Sequence, residues 1–333
     1  MKFQTLIAAS IMTGLAGMAV AADQPIVGLI TKTETNPFFV KMKEGAQQAA
    51  NANGAKLLTG AGKADGDNAG QVTALENMVA AGAKTILITP SDSKAIVPSL
   101  KKAMAKGVMV IALDSPTEPT EAVDALFATD NFKAGVLIGQ YAKVAMAGKP
   151  IKLAMMDLFP GNSVGLLRHN GFLSGFGAPG IDAKRTTQAK TADVVCMADS
   201  YGDQAKAQTA MENCIQKNPD INLVYTINEP AAAGAYKALQ AAGKEKGVMI
   251  VSIDGGCNGI RDVQRGVIAA TSQQYPLKMA AMGVGAGIAY AKQGKKVSGY
   301  YDTGVTLITG TPLKGIDSKD IKTGMDECWG KKS

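Results

Sequence analysis

The chain has 333 residues, enough for about two domains. Its composition is 46% hydrophobic and 19% charged, which excludes an intrinsically disordered chain. The formal net charge is +7, but no run of five like charges occurs, so the sequence lacks the clustered basic face that binds nucleic acid.

The first 22 residues are typical of an export signal. Met1 and Lys2 give a short positive start, residues 6–20 form an apolar run, and Ala19-Val20-Ala21 fits a small-x-small cleavage site. The alternative is a buried N-terminal helix. Because Lys2 is the only charge in this segment, its removal would leave 7 − 1 = +6 on the exported protein.

Short apolar strands alternate with helical segments through the first half of the chain. We predict strands at residues 26–30, 55–58, 85–89, 108–113 and 126–128. Apolar residues recur at helical spacing in residues 40–53, 68–81 and 95–106. This βαβα order is typical of a parallel sheet with helices on both faces.

The same alternation restarts near residue 151. We predict strands at residues 151–156, 223–227, 248–253 and 267–272, and helices at residues 164–176, 203–216, 231–242, 258–266 and 276–292. Two half-chains with one pattern predict two similar lobes. No low-complexity linker separates them, so we expect a hinge made of short segments rather than a flexible tether.

The segment between the first strand and the first helix is the most informative stretch. It reads Thr35-Asn36-Pro37-Phe38-Phe39 and would lie at the carboxyl edge of the sheet, where α/β sheets bind ligands. Two rings and an amide suit a sugar, whose C–H face stacks on aromatic rings while its hydroxyls need hydrogen-bond partners. The alternative is that both rings are core residues of a βα turn.

Polar residues follow most of the other predicted strands as well. Taken singly, such a residue is usually a helix cap or a turn residue. Taken together at one sheet edge, they would supply the donors and acceptors that sugar hydroxyls need, and Arg168 would add a fork of donors. They are Asp92, Asp114, Ser115, Asp130, Asn131, Asn228, Glu229, Asp254, Gln273 and Gln274.

The sequence does not indicate an enzyme. His169 is the only histidine and is expected on a helix surface beside Arg168, so no nucleophile has an evident base. Neither a G-x-S-x-G motif nor a phosphate-binding P-loop occurs. A carboxylate pair such as Asp114 and Asp130 would suit a glycosidase only at a defined separation, which the sequence does not indicate. We therefore expect no catalytic site and no cofactor.

Four cysteines lie beyond the export signal, at Cys196, Cys214, Cys257 and Cys328. An even number in an exported chain favours disulfides, and four cysteines allow three connectivities. We favour Cys196–Cys214, which closes a local loop, and Cys257–Cys328, which ties the chain end to a strand-end turn. Zinc is disfavoured, because the sequence has no C-x-x-C motif and one histidine.

In order and spacing, these motifs resemble the ribose-binding family of periplasmic sugar-binding proteins, which serve ABC importers. The resemblance covers essentially the whole mature chain. It rests on TNPFF at residues 35–39, TPSDS at 89–93, LD at 113–114, TDN at 129–131, NE at 228–229 and IDG at 253–255. Within the family the chain is most similar to the fructose-binding branch, through TINEPAAAGAY at 226–236, DGGC at 254–257, ATSQQYP at 270–276 and CWG at 328–330.

The resemblance implies a set of ligand-binding residues from both lobes. Ser115 stands where the ribose-binding pattern has an Arg, which favours a sugar larger than ribose. The aromatic residue of the second lobe has no direct match, and Tyr201 is the nearest candidate, whereas we expect Trp329 to be structural. The implied set is Asn36, Phe38, Phe39, Asp114, Asp130, Arg168, Tyr201, Asn228, Asp254 and Gln274, with Asp130 near the hinge.

The resemblance also implies the fold and its division. We expect a type I periplasmic binding protein: an α/β chain with two Rossmann-like, doubly wound parallel-sheet lobes joined by a three-strand hinge near residues 129, 274 and 303. The signal peptide would be residues 1–22. The N-terminal lobe would be residues 23–129 plus 275–303, and the C-terminal lobe residues 130–274 plus 304–333.

The implied function is to bind a monosaccharide, with D-fructose as first candidate, and deliver it to an ABC permease in the inner membrane. The protein would act in the periplasm as a monomer, without metal or nucleic acid. Alternatives are another monosaccharide, a polyol or a signalling sugar derivative, for import or for a chemoreceptor. A sugar-responsive repressor would need a DNA-binding headpiece before residue 26, and an exported enzyme would turn its sugar over.

Overall fold

The computed structural model describes residues 24–331, so the predicted export signal lies outside the described residues. The strands are β1 (Ile26–Thr31), β2 (Lys56–Ala61), β3 (Thr85–Ile88), β4 (Met109–Leu113), β5 (Ala125–Ala128), β6 (Leu153–Asp157), β7 (Val194–Asp199), β8 (Leu223–Thr226), β9 (Met249–Asp254), β10 (Ala270–Gln273), β11 (Gly299–Asp302) and β12 (Thr306–Thr309). In this range no helix is long and apolar enough to cross a membrane.

Ten α-helices are assigned within the described range. They are α1 (Pro37–Ala52), α2 (Asn68–Ala80), α3 (Val97–Ala105), α4 (Asn131–Ala145), α5 (Ser163–Phe176), α6 (Gln204–Lys217), α7 (Glu229–Ala241), α8 (Cys257–Gln264), α9 (Pro276–Gln293) and α10 (Ile321–Glu327). A 3₁₀ turn, Thr120–Ala122, precedes β5. The alternation of strand and helix is the one that the sequence predicts.

The strands form two six-stranded sheets, one in each lobe. The first has the order β11-β5-β4-β3-β1-β2, and the second has the order β12-β10-β9-β8-β6-β7. All neighbouring strands are parallel except β10 and β12. The carboxyl ends of the parallel strands therefore share one edge of each sheet. The predicted class, two doubly wound α/β lobes, is confirmed.

Five elements were not predicted from the sequence: β7, β11, β12, α4 and α10. Helix α4 contains Gly135 and Gly139, which lower its helix propensity, and β11 is exposed throughout, so it lacks an apolar signal. The start of α1 also differs from the prediction. Asn36 caps this helix by accepting a 3.0 Å hydrogen bond from the Phe38 amide, so the helix begins at Pro37 and includes both phenylalanines.

Each sheet is covered by helices on both faces. In the first lobe, the apolar side chains of α1 and α9 pack on one face and those of α2 and α3 on the other. In the second lobe, α4 and α5 cover one face, and α6 and α7 cover the other. Burial on both faces explains why β3, β4, β6 and β8 are continuous buried runs rather than alternating ones.

Helices α4 and α5 pack backbone to backbone. Gly135 and Gly139 on α4 face Gly171 and Gly175 on α5, and a Cβ atom on any of the four would lie 2.1–2.3 Å from a carbonyl oxygen of the facing helix. The spacing of four residues places each pair on one helix face. This close approach fixes the position of α5, which carries Arg168.

The chain passes between the two sheets three times, after β5, after β10 and after β11. Hydrogen bonds hold these crossings together. The Thr129 hydroxyl donates to the Gly304 carbonyl at 3.1 Å, and the Lys278 ammonium donates to the Thr303 carbonyl at 3.0 Å. These three short segments are the covalent connections between the two sheets within the described residues.

Both predicted disulfides are present. Cys196–Cys214 joins β7 to α6, and Cys257–Cys328 joins the start of α8 to the C-terminal segment, with Cα–Cα distances of 5.8 and 5.0 Å. Both separations lie within the range of unstrained disulfides. The first bond closes a local loop, whereas the second fixes the chain end to the loop after β9.

The glycine contact between α4 and α5 makes a testable prediction. We expect Gly139→Ala to lower the free energy of unfolding by at least about 2 kcal/mol, because the new methyl group would meet the backbone of α5 rather than a movable side chain. The measurement is urea unfolding followed by circular dichroism. The control is Gly285→Ala on α9, where a Cβ atom meets nothing within 4 Å. This control should be neutral or stabilising, and equal losses of stability in both variants would contradict the close-packing argument.

Candidate ligand site between the lobes

A small enclosed cavity lies between the two lobes, at the carboxyl ends of their strands. The first lobe contributes side chains that follow β1, β2 and β4, and the second lobe contributes side chains that follow β6, β8, β9 and β10. The lining residues are Lys32, Asn36, Phe38, Phe39, Asp65, Asp114, Leu158, Val164, Arg168, Ile227, Asn228, Asp254 and Gln274. Eight of the ten residues predicted as ligand-binding are among them, whereas Asp130 and Tyr201 are not.

Arg168 is the buried centre of this site. Its Nε donates to Asn131 Oδ1 at 2.7 Å, and its Nη1 donates to the Ile227 carbonyl at 2.9 Å. Its guanidinium nitrogens also lie 3.9 Å from Asp114 Oδ1 and 3.7 Å from Asp254 Oδ1. One guanidinium group therefore faces a carboxylate from each lobe, and its planar fork suits that task.

Asp114 and Asp254 hold their carboxylates in the cavity through unusual backbone conformations. Their φ angles are 62° and 147°, in the region that favours glycine, and both side chains are buried. Such strain tends to occur at functional sites. Among the described residues that line the cavity, Asp65 Oδ1, Asp114 Oδ1 and Gln274 Oε1 are buried oxygens without a hydrogen-bond partner. A bound molecule with hydroxyl groups could supply partners for them.

Two aromatic rings form the apolar wall of the cavity on the side of the first lobe. Phe38 and Phe39 lie edge to face with a centroid distance of 5.5 Å, and both are buried. Leu158, Val164 and Ile227 form the opposite wall. The core interpretation of the two rings is also correct, since they belong to the first hydrophobic cluster. They serve both the core and the cavity.

Two charged cavity residues, Lys32 and Asp65, were missed from the sequence, as were the apolar lining residues Leu158, Val164 and Ile227. Lys32 is only 2% exposed, and its Nζ lies 3.9 Å from Asp114 Oδ2 and 5.7 Å from the centre of the Phe39 ring. Burial raises the pKa of Asp65 to about 6, although the nearby charge of Lys32 opposes the shift. The available signal for Lys32 was its place just after a strand predicted as buried. An ammonium group that is buried there needs a partner of opposite charge.

Glu229 holds the loop after β9, the strand that carries Asp254 into the cavity. Its carboxylate accepts hydrogen bonds from the amides of Gly255 and Gly256, at 2.8 and 3.0 Å, and from the Thr271 hydroxyl at 3.0 Å. A Cβ atom at Gly259 would lie 1.8 Å from this carboxylate, so only glycine leaves room for it. Burial, together with the charge of Asp254, raises the pKa of Glu229 well above its usual value. These contacts fix the loop that follows Asp254.

Two predicted residues lie elsewhere. Asp130 caps α4 by accepting a 2.9 Å hydrogen bond from the Lys133 amide. Tyr201 is 37% exposed, and its ring stacks on the ring of Phe159. It lines a second, wider groove outside the cavity, and Lys206 Nζ lies 3.8 Å from its ring centre. The carboxylate of Asp130 therefore serves the helix start, and the Tyr201 ring faces the groove rather than the cavity.

The prediction that His169 lies on a helix surface is wrong. His169 is fully buried, with Nδ1 2.9 Å from Asp157 Oδ1 and Nε2 2.8 Å from the Ala189 carbonyl. Although burial opposes a charge, the hydrogen bond to Asp157 raises the pKa of His169. The ring anchors the irregular segment after α5 and does not reach the cavity lining.

Charged groups of both signs line the cavity. Lys32 and Arg168 face Asp114 and Asp254, and Asp65 adds a third carboxyl, whose pKa burial raises to about 6. The lining therefore has no excess of positive charge that would hold an anionic ligand. Within residues 24–331, no group of three or more metal-ligating side chains is placed to hold a metal. With unsatisfied acceptors and two rings, this arrangement suits a neutral ligand rich in hydroxyl groups.

Comparison with known proteins places the chain in a family. Residues 27–296 match the family model described as a periplasmic binding protein domain. The ribose import binding protein RbsB of Escherichia coli (strain K12) is 31% identical over 310 residues, which cover 92% of this chain and 98% of the relative. This chain belongs to the ribose-binding family of periplasmic sugar-binding proteins. The family is one of binding proteins rather than enzymes, and it implies a location outside the cytoplasm.

Further comparisons agree with this family. The D-allose-binding periplasmic protein of the same Escherichia coli strain is 27% identical over 275 residues, covering 81% of this chain and 85% of the relative. A solved ABC transporter solute-binding protein from Burkholderia multivorans superimposes with a TM-score of 0.77 at 26% identity, covering 86% of this chain and 100% of that chain. The type I periplasmic binding protein fold expected from the sequence is therefore confirmed.

The buried carboxylate of Asp254 predicts how stability depends on pH. Burial raises the pKa of Asp254 to about 7, although Arg168 opposes the shift. Between about pH 4 and pH 7 the folded protein therefore binds more protons than the unfolded chain, so stability should fall as pH rises through this window. Over two pH units the Asp254 contribution is roughly 2 kcal/mol.

The variant Asp254→Asn tests this dependence. We expect it to reduce the decline in unfolding free energy between pH 5 and pH 7 by roughly 2 kcal/mol, the Asp254 contribution, while the buried carboxyls of Asp65 and Glu229 retain part of the decline. The variant should also be the more stable protein at pH 8 without ligand. Chemical unfolding at each pH measures both. Asp130→Asn is the control, because Asp130 is a helix cap outside the cavity. Parallel pH profiles for the wild type and Asp254→Asn would show that Asp254 is not the group responsible.

Proposed function

We propose that this protein binds a monosaccharide between its lobes, with D-fructose as the first candidate, and delivers it to an ABC permease. As a member of the ribose-binding family, the chain is the substrate-binding component of a sugar importer. The observation that carries the proposal is a set of three buried oxygens, Asp65 Oδ1, Asp114 Oδ1 and Gln274 Oε1, that lack hydrogen-bond partners in a cavity also lined by two phenylalanine rings.

Sugar hydroxyls match these groups because each hydroxyl both donates and accepts. Hydroxyls would donate to Asp114 and Gln274 and accept from Arg168 and Lys32, while a C–H face of the ring would lie on Phe38 or Phe39. Charged partners in a buried site make the stronger hydrogen bonds. The absence of an excess of positive charge in the lining argues against sugar acids as the main ligand.

Ser115 supports a sugar larger than ribose. Its hydroxyl donates to Asp114 Oδ2 at 2.8 Å, in the position where the ribose-binding pattern carries an Arg. Lys32, directly after β1, supplies the positive charge beside the same carboxylate oxygen. A serine at 115 would leave more room beside Asp114 than an Arg. The cavity in this structure has a volume of about 30 Å³, so the lobes would have to separate for a sugar to enter. The resemblance to the fructose-binding branch favours D-fructose.

Other ligands remain candidates. The relatives are named for ribose and for D-allose, so another monosaccharide is the main alternative. A polyol or a signalling sugar derivative offers the same hydroxyl chemistry. The same closed form would also suit recognition by a chemoreceptor.

Binding would proceed by closure of the lobes about the crossings near residues 129, 274 and 303. We take residues 1–22 as a signal peptide, 23–129 plus 275–303 as the first lobe, and 130–274 plus 304–333 as the second. The sugar would bind to one lobe of the open protein, and the other would then close over it. The protein would act as a monomer in the periplasm, and its closed outer surface would contact the permease.

Calorimetric titration of refolded protein tests the proposal, because refolding removes any sugar that is carried through purification. The panel is D-fructose, D-ribose, D-allose, D-mannose, D-glucose and D-galactose. We expect one-to-one binding, tightest for D-fructose. Tight binding of another sugar would contradict D-fructose as the ligand but support the proposed site. No heat of binding with any sugar of the panel would contradict monosaccharide binding.

The matched variants are Asp114→Asn and Asp130→Asn. We expect the first to weaken sugar binding by at least about 30-fold, because it leaves Lys32 and Arg168 without their shared carboxylate. The second should change affinity less than about twofold, since its carboxylate caps α4. A large loss of affinity in Asp130→Asn would instead favour the ligand role that the sequence predicted for Asp130.

A further inference from the structure

The only tryptophan of the chain lies at the boundary between the lobes. Trp329 is 7% exposed, and its ring packs edge to face on Phe38 of the first lobe at a centroid distance of 5.6 Å. It belongs to the hydrophobic cluster of the first lobe, together with Phe39 and Met42. The prediction from the sequence gave it only a general structural role.

The backbone of Trp329, in contrast, is attached to the second lobe. Its carbonyl accepts a 2.9 Å hydrogen bond from the Cys257 amide, and the residue forms an isolated β-bridge with Gly256. The adjacent Cys328 is bonded covalently to Cys257. The Arg261 side chain also donates to the Lys331 carbonyl at 3.1 Å. The C-terminal segment is thus fixed to the start of α8, and its tryptophan ring reaches across to the other lobe.

Trp329 contacts three elements that form the cavity. Its ring supports Phe38, which lines the cavity. Its indole Nε1 donates to the Gln274 carbonyl at 3.0 Å, and the Gln274 side chain holds Asp254 Oδ1 at 2.9 Å. Its ring also covers Gly256, where an added Cβ would lie 3.1 Å from the indole. One side chain therefore touches the aromatic wall, a crossing segment and the loop after β9.

We propose that Trp329 is a positioning residue for the sugar site, and that the Cys257–Cys328 disulfide holds it in place between the lobes. The ring fixes the position of Phe38 in the first lobe, and the indole N–H fixes the position of Gln274 in the crossing segment after β10. Sugar affinity then depends on a disulfide that does not touch the sugar. The inference rests on the proposed function for its ligand, but not for its geometry.

Two substitutions separate the two interactions of the ring. Trp329→Phe keeps an aromatic ring against Phe38 and removes the indole donor to Gln274, whereas Trp329→Ala removes both. We expect affinity for the sugar bound by the wild type to fall roughly tenfold to a hundredfold in Trp329→Ala. Trp329→Phe should bind with an affinity between those of Trp329→Ala and the wild type, because it keeps the ring contact with Phe38 but loses the donor to Gln274. Thermal unfolding of both variants is measured as well. A Trp329→Ala variant that is less stable but binds the sugar with wild-type affinity would overturn the proposal.

The disulfides offer a matched pair. The double variant Cys257→Ser, Cys328→Ser should weaken sugar binding about tenfold or more, because the C-terminal segment that carries Trp329 is no longer bonded to the start of α8. Cys196→Ser with Cys214→Ser removes the bond between β7 and α6, away from the cavity lining. It should lower stability while changing affinity less than about twofold. Equal decreases in affinity in the two double variants would contradict the proposal.

Tryptophan fluorescence tests the position of the Trp329 ring without a sugar, because Trp329 is the only tryptophan in the sequence. Removal of Cys257–Cys328 should shift this emission to longer wavelength and make it more accessible to acrylamide, and removal of Cys196–Cys214 should not. If the wild type binds none of the sugars, the proposed function fails, and this comparison alone decides the positioning role. Unchanged emission and quenching without Cys257–Cys328 would overturn it.

Discussion

The site depends on one buried guanidinium group. Arg168 makes two hydrogen bonds within its own lobe and faces one carboxylate from each lobe. Without it, the buried carboxylate of Asp254 would lose its cation, and Asp114 would keep only Lys32, so desolvation would cost more at both. Arg168 reaches this position because α5 lies close against α4, and that approach is allowed by the small glycine pairs between the helices. A packing constraint in the second lobe therefore decides the electrostatics of the cavity.

The site is built at the expense of stability. Asp114 and Asp254 hold unfavourable backbone angles, buried acceptors lack donors, and burial raises the pKa of Asp254. Each feature would be costly in a protein whose only requirement was to fold. The open acceptors and the buried carboxylate would be relieved at least in part by hydroxyl donors, which stabilise an ionised carboxylate. The coincidence of these features in one cavity is the strongest physical argument for a ligand there.

The sequence predicted nine of the twelve strands within residues 24–331 and most of the cavity, for a reason that is local. Buried parallel strands are continuous apolar runs, and the polar residues that follow them lie at the carboxyl edge of their own sheet, as Asp114 does in the first lobe and Asn228 in the second. Lys32, Asp65 and His169 could not be placed this way. Their burial depends on partners distant in sequence, among them Asp114 for Lys32 and Ala189 for His169. Helix α4 was missed because its glycines are favourable only once α5 is beside them.

The pairing of charges also explains how such a cleft can open. Asp114 has Lys32 as a partner in its own lobe, and Asp254 has Arg168 in its own lobe. When the lobes separate, each half-site therefore keeps a cation beside its carboxylate, and neither is left with an unpaired charge. Opening would separate Arg168 from Asp114, whose nearest charged atoms are 3.9 Å apart, farther than in a direct hydrogen bond. Two opposite unit charges about 4 Å apart attract by about 4 kcal/mol at an effective dielectric constant of about 20, so any opening would lose this attraction between the lobes although neither carboxylate would lose its own cation.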